Sequence, residues 1–202
     1  MKNYERYSNV TSRQYDKKSV MYYLCGVPSY RKIYPLISNL KGKNILEVGL
    51  GTGFYTKILL KNNMVIGVDV NPHLCQLPIR LYKGSATELS RLVGDERFDL
   101  VFSILMTEYL ADDELQAFFV ESRKVLNKDG RLITTVISSH GMGFAYIFLA
   151  KTLKGISKYC YKRKAIIEKL TAAGFDRIEI LRLNSWLGVP WAYLAIAQYS
   201  QP

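Results

Sequence analysis

The 202-residue chain is 49% hydrophobic and carries 28 Lys/Arg against 17 Asp/Glu, a formal net charge of +11. That length suits one domain with a decorated end, and it can bury a core without disulfides. Cys25, Cys75 and Cys160 are odd in number and far apart, which argues against a disulfide framework or a cysteine metal site and suits a reducing cytoplasm.

The polar start, Met1 to Arg6, has no signal-peptide pattern, and no apolar run approaches the roughly 20 residues of a membrane span. A soluble cytoplasmic protein is expected, or one peripheral at a membrane. The charge is unevenly spread: residues 1–43 carry +7, residues 44–150 carry −2 and residues 151–182 carry +6. Partner-binding charge is therefore expected at the N-terminal extension and late in the chain.

Residues 1–42 are predicted to form a helical cap. The segment is basic and tyrosine-rich, with Tyr4, Tyr7, Tyr15, Tyr22 and Tyr23. Pro28 suits a first helical turn, Ile33, Leu36, Ile37 and Leu40 make an apolar stripe, and Gly42 is a plausible C-cap.

The stretch from Asn44 to Thr56 organises the rest. Ile45, Leu46 and Val48 are a short apolar run, as expected of a buried parallel strand. Gly49, Gly51 and Gly53 then break the run, and a helical pattern continues through Ile58, Leu59 and Leu60. Glycines let the backbone approach a ligand without Cβ interference, and a following helix start offers N–H groups to an anionic ligand group. The dinucleotide fingerprint needs a third glycine where Phe54 stands; the spacing here is G-x-G-x-G. Glu47 precedes the glycines, and Asp69 ends the next strand, Met64 to Val68. An acid at that distance is placed to accept hydrogen bonds from ribose hydroxyls.

With Glu47, the three glycines and Asp69 in place, the chain resembles the class I S-adenosylmethionine-dependent methyltransferases, from about Lys43 to the C-terminus. The specific flavour resembled is the small-molecule and lipid type, close to the ubiquinone-biosynthesis-like group. The resemblance implies an α/β fold: a Rossmann-like, seven-stranded, mostly parallel sheet, helices on both faces, the last strand antiparallel. It implies S-adenosylmethionine as cofactor, held by Glu47, Gly49, Leu50, Gly51, Gly53, Asp69, Val70, Ser85, Ala86 and Ser103, with Tyr15 reaching over from the cap. The family usually has an acid for the adenine amine where Ser85 stands.

Later elements follow the same pattern. A short helix opens at Pro72, and a third strand runs from about Arg80 to Lys83. Phe98 to Ser103 is a fourth strand. In the loop after it, Glu108 and Tyr109 stand where many relatives have histidines. Asp112 and Asp113 are N-cap candidates for a helix with the apolar face Leu115, Phe118, Phe119, Val125 and Leu126. Val125 to Leu132 resembles the family's turn into strand five, with Lys128 in place of proline. Strand five ends near Ile137, a helix covers Arg163 to Ala173, and Phe175–Leu183 and Trp191–Tyr199 are the last strands.

The expected chemistry needs little from the protein, because the cofactor carries the reactive methyl. A base is needed only for an acceptor that arrives protonated. His140, after strand five, and Glu108 are the candidates, whereas His73 is expected at the surface. No metal site is expected.

Residues 139–162 are expected to cover the substrate. Lys151, Lys154, Lys158 and Lys162 are spaced three, four and four apart and are expected to share one helix face, with Tyr146, Leu149, Leu153, Ile156 and Cys160 on the opposite face. With Phe144, Phe148, Trp186 and Trp191 nearby, this suggests an apolar pocket with a basic rim, suited to a small-molecule or lipid-like acceptor and to peripheral membrane contact. Two rivals stand beside it: an RNA methyltransferase using the same basic surface, and a non-catalytic cofactor-binding partner subunit. The loop after strand four, Ser103 to Met106, lacks the D/N/S-P-P-Y/F pattern of adenine-N6 and cytosine-N4 methylases.

Overall fold

Side chains in a strand alternate between faces, and each central strand of this chain is apolar on both. Leu46, Val48, Val101, Leu132 and Val136 enter one core cluster, whereas Ile45, Leu100, Phe102, Ile133 and Ile137 enter another on the opposite side. A sheet apolar on both faces must be covered on both, which is the layering of a parallel α/β domain.

The computed structural model describes residues 22–154 and 157–199. After a turn of π-helix, Tyr22–Gly26, the elements are α1 (Val27–Ser38), β1 (Asn44–Val48), α2 (Thr56–Leu59), β2 (Met64–Asp69) and β3 (Arg80–Lys83). They continue as α3 (Leu89–Val93), β4 (Phe98–Ser103), α4 (Asp112–Val125), β5 (Leu126–Ile137), α5 (Met142–Lys154), α6 (Arg163–Ala172), β6 (Arg177–Asn184) and β7 (Pro190–Gln198). One seven-stranded sheet has the order β3-β2-β1-β4-β5-β7-β6. β1 to β5 pair in parallel, and β7 runs antiparallel to both β5 and β6. This is the Rossmann-like methyltransferase fold expected, including the N-terminal helix.

α1 packs on one face through Ile33 and Ile37, with Met142 and Ile147 of α5 in the same cluster. α4 covers the other face through Leu115, Phe118 and Phe119, beside Ile166 and Leu170 of α6. The C-terminal ends of β1, β2, β4 and β5 all open on one edge, where ligands bind in open α/β sheets.

Four local expectations are corrected. α1 ends at Ser38, with Asn39 as its cap; Gly42 instead serves a later turn at φ +63°, its N–H donating to the Asn62 carbonyl at 2.8 Å. The N-cap of α4 is Ala111, whose N–H donates to Glu114 at 3.0 Å, so Asp112 and Asp113 lie in the first turn. Trp191 adds no surface: it is buried, and its indole N–H donates to Ser29 Oγ at 3.1 Å. α5 stops at Lys154, so Lys158 and Lys162 do not continue a helical basic face. Among the described residues, no helix is long and apolar enough to cross a membrane.

Candidate functional site

The chain leaves β1 through Gly49, Gly51 and Gly53, at φ +72°, +54° and +80°. These left-handed angles cost a side-chain-bearing residue free energy. Space is also short. A Cβ on Gly49 would lie 2.4 Å from Met106 Cγ, and one on Gly53 would lie 2.8 Å from Leu77 Cδ1. The turn is pinned to the sheet by the Gly49 N–H, which donates to the Val68 carbonyl at 2.8 Å. The helix after it is only one turn, Thr56–Leu59. The backbone of the turn itself, more than a helix terminus, therefore presents polar groups here.

Asp69 sits at the end of β2 and faces this turn. One carboxylate oxygen accepts from the Gly51 N–H at 3.0 Å and the other from the Asn71 N–H at 2.8 Å. Each oxygen keeps a second lone pair for another donor. Glu47, on β1, is buried, and its Oε2 has no hydrogen-bond partner among the described residues. Burial pushes the Glu47 carboxyl up to about 8; the Thr56 side chain pulls against this and the Asp69 charge adds to it. Leu50 is buried and Val70 half-buried beside them.

Ser85 opens the turn after β3. Its hydroxyl accepts from the Thr87 N–H at 3.2 Å, while its own N–H donates to Glu88 Oε1 at 3.1 Å. This capping box fixes the backbone around Ser85 and the buried Ala86. Ser103, at the end of β4, is buried, and its hydroxyl has no hydrogen-bond partner among the described residues. Beyond it Leu105 takes φ +58°, an uncommon angle for leucine, and its N–H donates to Thr135 Oγ1 at 2.7 Å.

Glu108 and His140, the two base candidates, occupy very different surroundings. Glu108 lies in the 3-10 turn Thr107–Tyr109 and is buried. Its Oε1 pairs with the Lys158 ammonium and accepts from the Tyr146 hydroxyl at 3.2 Å. Lys158 also donates to the Tyr146 hydroxyl and lies 4.9 Å from the Tyr109 ring centroid and 4.5 Å from that of Tyr146. Burial pulls the Lys158 ammonium down, but Glu108 and the two tyrosines outweigh it and hold the group above the ordinary lysine range. Burial raises the Tyr146 phenol, so it stays protonated as a donor. Lys158 is thus an internal ion-pair partner rather than part of a basic rim. Lys162 is the N-cap of α6.

The segment after α5 ties the mouth together. Tyr159 N–H donates to the Glu108 carbonyl at 2.7 Å, Tyr161 N–H to that of Ile137 at 2.9 Å, and the Tyr161 hydroxyl to that of Leu110 at 2.7 Å. His140 is exposed; its N–H donates to Ser138 Oγ at 3.1 Å, and its Nδ1 lies 3.2 Å from Ser139 Oγ. Tyr15, the tyrosine expected to reach over from the cap, lies outside the described residues. Among the described residues, no His, Cys, Asp and Glu side chains gather in threes at metal-binding distance.

Residues 46–134 match the methyltransferase domain family. The match runs from β1 into β5, and with the fold it makes the chain similar to the class I S-adenosylmethionine-dependent methyltransferases. The tRNA U34 carboxymethyltransferase of Alteromonas mediterranea is 28% identical to this chain over 170 residues, covering 76% of this chain and 51% of that protein. The chain therefore spans about half the length of that curated relative. An S-adenosylmethionine-dependent methyltransferase from Clostridium acetobutylicum shares the fold with a TM-score of 0.65 at 14% identity, over 98% of this chain and 99% of that one. The magnesium protoporphyrin IX methyltransferase of Synechocystis, solved with SAH bound, does so with a TM-score of 0.60 at 16% identity, over 85% and 84%.

The residues present fit S-adenosylmethionine. The turn at Gly49 and Gly53 has no room for a Cβ, Glu47 Oε2 and Ser103 Oγ are buried polar atoms without partners among the described residues, and Asp69 has an acceptor position open on each oxygen. The sequence motifs account for Glu47, Gly49, Gly51, Gly53 and Asp69. They do not account for Met106, Leu105, Tyr146 or Lys158. For Lys158, the nearby Gly155 is a signal in the sequence that the helix would not run on.

Proposed function

We propose that this chain transfers a methyl group from S-adenosylmethionine to a small-molecule or lipid-like acceptor. The observation that carries the reading is the Asp69 carboxylate held against the Gly49–Gly53 turn at the end of β2. When bound, the cofactor supplies an electrophilic methyl on its sulfonium. Asp69 would accept from the ribose hydroxyls, and Glu47 and Ser103 would offer their open polar atoms to the amino-acid end. The turn at Ser85 and Ala86 would flank the adenine. Leu105 and Met106 would shape the entry for the acceptor, and the Glu108–Lys158–Tyr146 cluster would keep it rigid. His140 would take the proton of an acceptor that arrives protonated.

The absence of Asp or Glu between Ser138 and Ile167 supports an anionic acceptor. A cytoplasmic setting agrees with three cysteines that are all free. A second reading, an acceptor in RNA, is favoured by the charge of +11 and by the tRNA-modifying relative.

The test is methyl transfer from labelled S-adenosylmethionine into a host extract, partitioned into organic, nucleic-acid, protein and polar small-molecule fractions. Label in the organic or small-molecule fraction is expected. Label confined to RNA would replace the first reading with the second. No label, with the cofactor shown to bind, would leave a cofactor-binding subunit.

A further inference from the structure

We propose that the outer face of α5, together with the β6–β7 turn, is a docking surface for an anionic lipid bilayer. Gly143 of α5 is buried, and Met142, Tyr146 and Ile147 are half-buried and face the domain. These positions fill one side of the helix. Phe144 and Phe148, four residues apart, stand on the opposite side and are 57% and 58% exposed. A helix packed on its own domain normally turns polar residues to solvent; this one, from Met142 to Phe148, has no charged residue on either side, which marks a second apolar environment.

The β6–β7 turn adds to the same corner. A Cβ on Gly143 would meet the Trp191 carbonyl at 2.4 Å, and one on Gly141 the Pro190 carbonyl at 2.7 Å, so the start of α5 lies directly on the start of β7. The turn is closed by the Ser185 N–H, which donates to the Val189 carbonyl at 2.9 Å. At its tip Trp186 is 55% exposed and Leu187 73%. The Arg31 guanidinium sits 4.7 Å over the Trp186 ring.

Charge selects the occupant. The chain carries +11 overall, residues 1–43 alone carrying +7, and Arg31 of α1 lies over Trp186. Exposed Phe, Trp and Leu on a chain of strong positive charge match a bilayer with anionic headgroups, where rings enter the interface and basic groups stay in the headgroup layer. A surface for single-stranded nucleic acid would interleave stacking rings with cations along a groove. Here the described rings stand on a helix face and at a turn tip.

The experiment is co-sedimentation of the full chain, without cofactor, with extruded vesicles at physiological ionic strength. One set is phosphatidylcholine alone; the other is two parts phosphatidylcholine to one part phosphatidylglycerol. The wild type is expected to sediment with the anionic vesicles and to lose that binding as salt is raised. The paired substitution Phe144→Ser and Phe148→Ser is expected to weaken vesicle binding about tenfold, with an unchanged melting temperature and cofactor affinity. Leu187→Ser is a second variant, outside the helix, with the same expectation. No binding by the wild type, or equal binding by all three proteins, would overturn the proposal. So would loss of tRNA binding or of a dimer, in place of vesicle binding, in the same variants. Because vesicle binding is read without cofactor, its failure leaves the methyltransferase reading standing, and failed methyl transfer leaves the docking surface standing.

Discussion

Replacing Lys158 with Met should be among the most destabilising single changes in the chain. The side chains of Lys158 and Glu108 are 2% and 4% exposed. Glu108 Oε1 pairs with the Lys158 ammonium, and Oε2 has no partner among the described residues. Taking away the lysine leaves a buried carboxylate with the Tyr146 hydroxyl as its remaining described side-chain donor. Breaking one partner out of a buried pair costs about 3–5 kcal/mol. For a chain of this size, that lowers the melting temperature by roughly 6–20 °C. Changing both partners, Glu108→Gln with Lys158→Met, removes the orphaned charge and should recover most of the loss. Tyr146→Phe removes one hydrogen bond and should cost about 1 kcal/mol. Urea unfolding of the four proteins, followed by circular dichroism, gives the comparison. A Lys158→Met protein within about 1 kcal/mol of wild type would refute a buried, paired lysine. A double variant as unstable as the single one would refute the charge as the cause.

Two further outcomes are expected. Glu47 is raised from 4.5 to about 8, so between those values the folded chain holds a proton that the unfolded chain has lost. Its contribution is fully present below about pH 4.5 and disappears as pH rises through about 8, a loss of at most about 5 kcal/mol. Glu47→Gln should therefore flatten the pH dependence of stability over that window; an unchanged slope would show that Glu47 is not the titrating group. Substituting His140 by Ala should lower turnover about tenfold or more with little change in cofactor affinity; full turnover would remove it as the base.

The cofactor half of the site was legible because its signals are local. Glycines at φ > 0, an acid two residues before them and an acid ending the next strand are fixed by one βαβ unit, and all lie within Glu47–Asp69. The strands were legible because apolar runs on a two-faced sheet have little else they can become. The acceptor half was not, because it is made of long-range contacts. Lys158 meets Glu108 across 50 positions, and that meeting depends on β4, β5 and the segment after α5 lying side by side. Spacings of three, four and four among the lysines describe a helix face only while the helix lasts, and α5 ends at Lys154. Trp191 was misjudged for a related reason. Its ring is buried by Ser29 and the N-terminal helix, 162 positions earlier in the chain.

The most direct measurement is calorimetric titration of S-adenosylmethionine into the wild type and into Asp69→Ala. One cofactor per chain should bind the wild type, and the variant should bind about a hundredfold more weakly, as expected when charge-assisted hydrogen bonds to two hydroxyls are lost. Equal affinity in the two proteins, or no binding to the wild type, would contradict the assignment of the Gly49–Asp69 site.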